Sequence, residues 1–160
     1  IPTRVTHNDT KINNILFDKN GDVLCVIDLD TVLSSTCLND FGDAMRSYTN
    51  TGAEDDEDLK KVSMDISIFK GFTEGYLSEA GSFLTETELA YLAFSARYIT
   101  YEQVLRFLMD YIDGDKYYKT KDAQHNLRRT RAQYKLLTSM EEQYANMCKI
   151  VTEAASKLKK

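Results

Sequence analysis

Two short stretches carry the side chains that can do chemistry: His7-Asn8-Asp9-Thr10-Lys11-Ile12-Asn13-Asn14 and, further on, Ile27-Asp28-Leu29-Asp30. Phosphoryl transfer asks a protein for few things: a carboxylate to orient the attacking hydroxyl, oxygen ligands for a metal between phosphates, and positive charge near the moving group. Asp9 can accept a hydroxyl proton. Asn14 and Asp28 offer hard oxygens of the kind Mg2+ prefers, an ion that takes few protein ligands and keeps several waters. Lys11, two residues after Asp9, can set its ammonium against a transferred phosphoryl group, or be a solvated surface lysine.

These residues must be brought together by what lies between them. Asn14-Ile-Leu-Phe-Asp18 and Val23-Leu-Cys-Val-Ile27 flank Lys19-Asn20-Gly21-Asp22 and read as strand, turn, strand, with Asn-Gly implying positive φ at both turn residues. The hairpin returns Asp28 to the neighbourhood of Asn14. Beyond it the pattern is helical. A short helix is expected after Asn39 or Asp40, and an amphipathic helix through Leu59, Val62, Ile66, Phe69 and Tyr76 that Gly81 can end. Thr85-x-x-Glu88 forms a capping box opening a buried central helix to about Ile112. A last long helix is expected from about Asp122 toward Leu158. One proline and seven glycines leave room for long helices and little for an all-β fold.

The chain has 160 residues, fitting one domain, and 20 Lys+Arg against 25 Asp+Glu give a net charge of −5. That balance argues against a coat for nucleic acid or anionic membrane. Three cysteines without metal-ligand spacing suit free thiols and a cytoplasmic location. A chain that opens directly into the His7–Asn14 motif reads as part of a longer polypeptide.

H-x-D-x-x-x-x-N, a hairpin and then I-D-x-D resemble the C-terminal lobe of the aminoglycoside phosphotransferase and choline kinase superfamily. V-I-D-L-D-T with Asp40-Phe41-Gly42-Asp43-Ala44-Met45-Arg46 is similar to its N-acetylhexosamine 1-kinase branch. The resemblance implies a mainly α lobe with a small β-hairpin, the C-terminal lobe of a protein-kinase-like fold. Residues 1–33 would form the catalytic loop and metal-binding hairpin, and residues 34–160 a helical subdomain, with the N-terminal nucleotide lobe outside this chain. It implies Asp9 as catalytic base, Asn14 and Asp28 as Mg2+ and nucleotide ligands, Asp30 assisting the metal and His7 propping the loop. ATP is the implied co-substrate and a small sugar the implied acceptor, contacted by an Arg and a Tyr, here Arg106 and Tyr117. Asn8 stands where aminoglycoside kinases commonly carry glycine, and Leu29 where an aromatic is often seen; both favour the sugar-kinase reading over the antibiotic one.

Other readings stay open. Arg106 can pair with Glu102 or Asp110 at helical spacing. Asp40, Asp43 and Arg46 read as an ion pair and a helix cap, and Arg128, Arg129 and Arg131 as a solvated basic face. Choline or an aminoglycoside are alternative acceptors. Asp28-Leu29-Asp30-Thr31-Val32 also fits the nucleophile strand of haloacid dehalogenase-like phosphatases, but the helical remainder lacks the parallel sheet that fold needs. A non-catalytic binding lobe is the last alternative.

Overall fold

The computed structural model describes residues 1–158. Its elements are β1 (Arg4–Thr6), β2 (Ile15–Phe17), β3 (Val23–Val26), β4 (Leu33–Ser35), α1 (Cys37–Tyr48), α2 (Ile66–Ala80), α3 (Glu86–Ile112), α4 (His125–Glu142) and α5 (Tyr144–Lys157). The mainly helical architecture with a small β-hairpin is as the sequence implies. No helix among the described residues is long and apolar enough to cross a membrane.

The hairpin is β2–β3, pairing Ile15 with Val26 and Leu16 with Cys25. Its turn differs from the expected one: Gly21 has φ +90°, whereas Asn20 stays outside the positive-φ set. Asp18 organises the loop instead, its Oδ1 accepting the amides of Asn20 and Asp22 at 2.8 and 2.9 Å, and the register shifts at Phe17. This is a three-residue connection with a bulge rather than a two-residue turn. A second antiparallel pair, β1 with β4, went unread in the sequence because each strand has only three residues.

Hydrophobic burial begins at Cys37. Phe41 on α1 packs edge-on against Phe69, Phe72 and Tyr76 of α2. The long α3 crosses α1, α4 and α5, and α2 rests on α5. At the α1–α3 crossing, a Cβ on Gly42 would stand 2.6 Å from both Ile99 Cγ1 and the Ser95 carbonyl, so only glycine permits that approach. The capping box of α3 forms as expected, Thr85 and Glu88 each meeting the other's backbone.

Four helical expectations are corrected. α1 starts at Cys37 and is capped by Thr36 rather than Asp40. Leu59–Lys61 is a separate 3-10 turn, and α2 begins only at Ile66, where Asp65 caps it. The central helix is not buried all round: Tyr91, Phe94, Tyr98, Tyr101 and Leu105 form an exposed stripe. The last helix breaks at Gln143, whose side-chain amide bonds the Met64 carbonyl at 2.9 Å, so the chain bends to meet the segment before α2.

Candidate active site

The loop between β1 and β2 is held almost wholly by hydrogen bonds. Asp40, in the first turn of α1, accepts the amides of His7 and Asn8 at 2.9 and 2.7 Å. Thr10 donates back to the Asp40 carbonyl at 2.6 Å, and Thr31 donates to the His7 carbonyl at 2.6 Å. Asn8 sits at φ +62°, a conformation asparagine tolerates better than most residues. Its Nδ2 binds Thr6 Oγ1 at 2.9 Å and the Thr31 carbonyl at 3.1 Å, contacts a glycine there could not make. His7 accepts the Asp9 amide at Nδ1, 3.3 Å, and faces the Ile27 carbonyl with Nε2 at 2.9 Å, partners that fix the Nε2–H tautomer. Both ring nitrogens are therefore occupied with backbone, and His7 positions the loop.

The clamped loop presents Asp9 to its neighbours. Lys11 Nζ lies 2.6 Å from Asp9 Oδ2 and 3.9 Å from Asp28 Oδ2, so one ammonium draws two carboxylates together. Asn14 is buried, and its Nδ2 donates to Asp9 Oδ2 at 2.9 Å and to the Asp9 carbonyl at 2.8 Å. That leaves Oδ1 as the atom Asn14 could offer a metal. The Asn14 carbonyl accepts the Ile27 amide at 2.9 Å, which sets Asp28, at φ +63°, next to the loop. Asp30 sits exposed on the 3-10 turn Leu29–Thr31, and no bond joins it to the other carboxylates. Among the described residues no three His, Cys, Asp or Glu side chains cluster as a metal cage. The donor set fits Mg2+ all the same: two hard oxygens, from Asn14 and Asp28, with coordination sites left for water and phosphate.

Asp9 and Lys11 open onto a cleft of about 690 Å3 whose far wall carries Arg106, Tyr117 and Tyr118. The helical ion pairs foreseen for Arg106 do not form. Its guanidinium instead lies 5.9 and 5.7 Å from the ring centres of Tyr117 and Tyr118. Asp110 is engaged elsewhere, its carboxylate accepting the amides of Lys116, Tyr117 and Tyr118 at 2.8–3.0 Å and Asn126 Nδ2 at 2.8 Å. Burial pushes this carboxyl up, but the three amides and Asn126 outweigh it and hold it below the usual range. Sequence reasoning missed Asp110 and Asn126. The available signal was an acid in the last turn of a helix, where the dipole disfavours it.

Arg46 forms the floor. It bonds Asp43 Oδ1 through Nε at 2.9 Å, Glu54 Oε1 through Nη1 at 3.0 Å and Gln133 Oε1 at 3.3 Å. The Asp43–Arg46 ion pair is as read from the sequence. Arg129 was not: it is mostly covered, beside Glu54 and over the Phe107 ring, and lines the cleft rather than a solvated face.

Asp9 is thus a carboxylate anchored by Asn14 and Lys11, two residues from His7. Residues 1–63 match the model of the phosphotransferase enzyme family. The matched stretch holds β1 to β4, α1, Asp9, Lys11, Asn14 and Asp28. The match supports kinase-type phosphoryl transfer, with the ATP and Mg2+ general to such phosphotransferases. Arg106, Tyr117 and the helices that carry them lie outside it.

Proposed function

We propose that this chain is the catalytic lobe of an ATP- and Mg2+-dependent kinase acting on the hydroxyl of an uncharged sugar, the anomeric hydroxyl of an N-acetylhexosamine in the favoured reading. The observation that carries the reading is Asp9, fixed by Asn14 and Lys11 at the mouth of a cleft large enough for a small-molecule site. Asp9 takes the proton of the acceptor hydroxyl as its oxygen bonds the γ-phosphorus and the bond to the ADP oxygen breaks. Asn14 and Asp28 would hold the metal, which neutralises phosphate charge. Lys11 can pass from Asp9 to a phosphoryl oxygen.

The cleft favours a neutral acceptor over the cationic ones. Lys11, Arg46, Arg106 and Arg129 outnumber Asp9 and Glu54 along its walls, so an aminoglycoside meets like charge. The aromatic faces that could bind choline carry guanidiniums already, Arg106 against Tyr117 and Tyr118, and Arg129 against Phe107. A nucleotide-binding lobe of the same polypeptide is the partner this reading requires.

The test is MgATP-dependent ADP release by the intact polypeptide with N-acetylglucosamine, N-acetylgalactosamine, choline and an aminoglycoside. Turnover of a hexosamine that falls about 10²–10⁴-fold in Asp9→Asn supports both the class and the base. Turnover of choline or the aminoglycoside alone overturns the acceptor assignment, and none with any acceptor overturns the kinase reading.

A further inference from the structure

Among the described residues three buried side-chain atoms have no hydrogen-bond partner: Asp43 Oδ2, Arg97 Nε and Arg129 Nε. Buried polar groups are ordinarily satisfied, so such atoms call for an explanation. Two of the three belong to residues that line the cleft. Asp43 lines a recess of about 340 Å3 that it shares with Asp9, Arg46 and Arg106, and Arg129 lines the main chamber with Arg46 and Gln133. Arg129 Nε stands 3.7 Å from Glu54 Oε2, beyond hydrogen-bond reach. Gln133, only 1% exposed, gives its Oε1 to Arg46, which leaves Nε2 as the group it can offer the chamber.

The types of these atoms restrict what could satisfy them. An ionised Asp43 Oδ2 only accepts, so its partner must donate; Arg129 Nε and Gln133 Nε2 only donate, so theirs must accept. A phosphate or carboxylate would be repelled by Asp43, and an ammonium by Arg46 and Arg129. Hydroxyl groups do both, without charge. The recess also contains Asp9, so a molecule seated on this floor reaches the base.

Resting on the kinase reading above, we propose that Asp43 and Gln133, held on either side of Arg46, determine acceptor specificity by recognising the hydroxyl and carbonyl oxygens of an uncharged sugar. Asp43 accepts from one hydroxyl, and Gln133 donates to one oxygen. Their alternation of acceptor and donor around a buried arginine discriminates between hydroxyl patterns on a ring.

Asp43→Asn and Gln133→Met keep side-chain volume while changing what each position offers. Both are assayed in the intact polypeptide with MgATP, using N-acetylglucosamine and its 3-, 4- and 6-deoxy analogues as acceptors. Each variant is expected to raise acceptor KM about 10- to 100-fold, the range for a hydrogen bond to a charged or buried group, with ATP KM unchanged. The Asp43→Asn penalty should vanish for the one analogue that lacks the contacted hydroxyl. A penalty equal across all analogues would mean that Asp43 only braces Arg46, and unchanged KM in both variants would overturn the proposal; Gln133→Met alone decides if Asp43→Asn does not fold. Direct titration of the sugar separates the two readings. Sugar bound but never phosphorylated, with the same deoxy pattern in Kd, sinks the kinase and supports the floor. A wild-type protein that phosphorylates another acceptor and binds no sugar sinks the floor and leaves the kinase.

Discussion

The first 36 residues and the rest of the chain are held together by different physics. In the first stretch only Thr6 and Asn14 are buried, and both are polar; Val23, Leu24, Val26, Leu29 and Leu33 are all exposed. From Cys37 onward the chain closes a core of leucine, methionine and phenylalanine. The candidate catalytic segment is therefore fastened to a packed body through a few polar joints: Asp40 on the loop amides, Ser47 on the Ile12 amide, and Arg4 on Glu88. Hydrophobic burial is non-directional, whereas hydrogen bonds fix angles. A loop that must aim a carboxylate is better served by the second, and a scaffold that must stay rigid by the first.

That contrast can be broken from the loop side. Asp40→Ala removes the acceptor of two amides while leaving the core face of α1, Phe41 and Met45, untouched. Misplacing a reacting group by an ångström costs about 10²-fold in rate, so turnover should fall on that scale with little change in the thermal transition of the helices. Limited proteolysis should cut between residues 7 and 35 sooner than in the wild type. Loss of the whole cooperative transition instead would show that loop and body are one unit.

It can also be broken from the body. Gly42→Ala places a methyl against the Ser95 carbonyl, which cannot rotate away, and overpacking of this kind costs about 1–3 kcal/mol. The midpoint in urea should drop, with activity following only as far as the folded fraction does. A rate loss larger than the loss of folded protein would mean that α1 transmits its position to Asp40 and the loop.

The same division explains what the sequence disclosed. The loop motif is local: His7, Asp9, Lys11 and Asn14 lie within eight positions, and a hairpin of ordinary length returns Asp28. Spacing alone could bring them together. The floor and far wall are not local. Gln133 reaches Arg46 across 87 positions, and Asn126 meets Asp110 from a different helix. Those contacts depend on how α1, α3 and α4 cross, which periodicity does not encode. Arg106 and Tyr117 were named through the family resemblance, but the Asp110 carboxylate that ties the 116–118 loop was out of view. Helix ends misjudged from apolar spacing, at Leu59 and Gln143, fail for the same reason, since polar side chains bonding backbone decided them.

The joint between the two regions gives the mildest perturbation. Glu88, at the first turn of α3, accepts Arg4 Nε at 2.7 Å and Nη2 at 2.9 Å, together with the Thr85 amide, the Thr85 hydroxyl and the Cys37 thiol. The Arg4 guanidinium, helped by the Thr85 and Cys37 donors and opposed by burial, holds the carboxyl well below the usual carboxylate range. An unfolded glutamate titrates near about 4.3, so in mild acid the unfolded chain binds the proton that the folded one refuses. The stabilisation is complete above about pH 5 and declines as the pH falls through the unfolded value toward the lower folded one. Stability measured between pH 6 and 3 should fall with a shallower slope in Glu88→Gln than in the wild type, with a remainder because Asp110 and Asp55 are depressed in the same sense. Exchange of the β1 amides should rise before that of the α3 interior as the acid loosens Arg4. Equal slopes in the two proteins would mean that β1 holds to the body without Glu88, and that the joint resides in Asp40 and Ser47 alone.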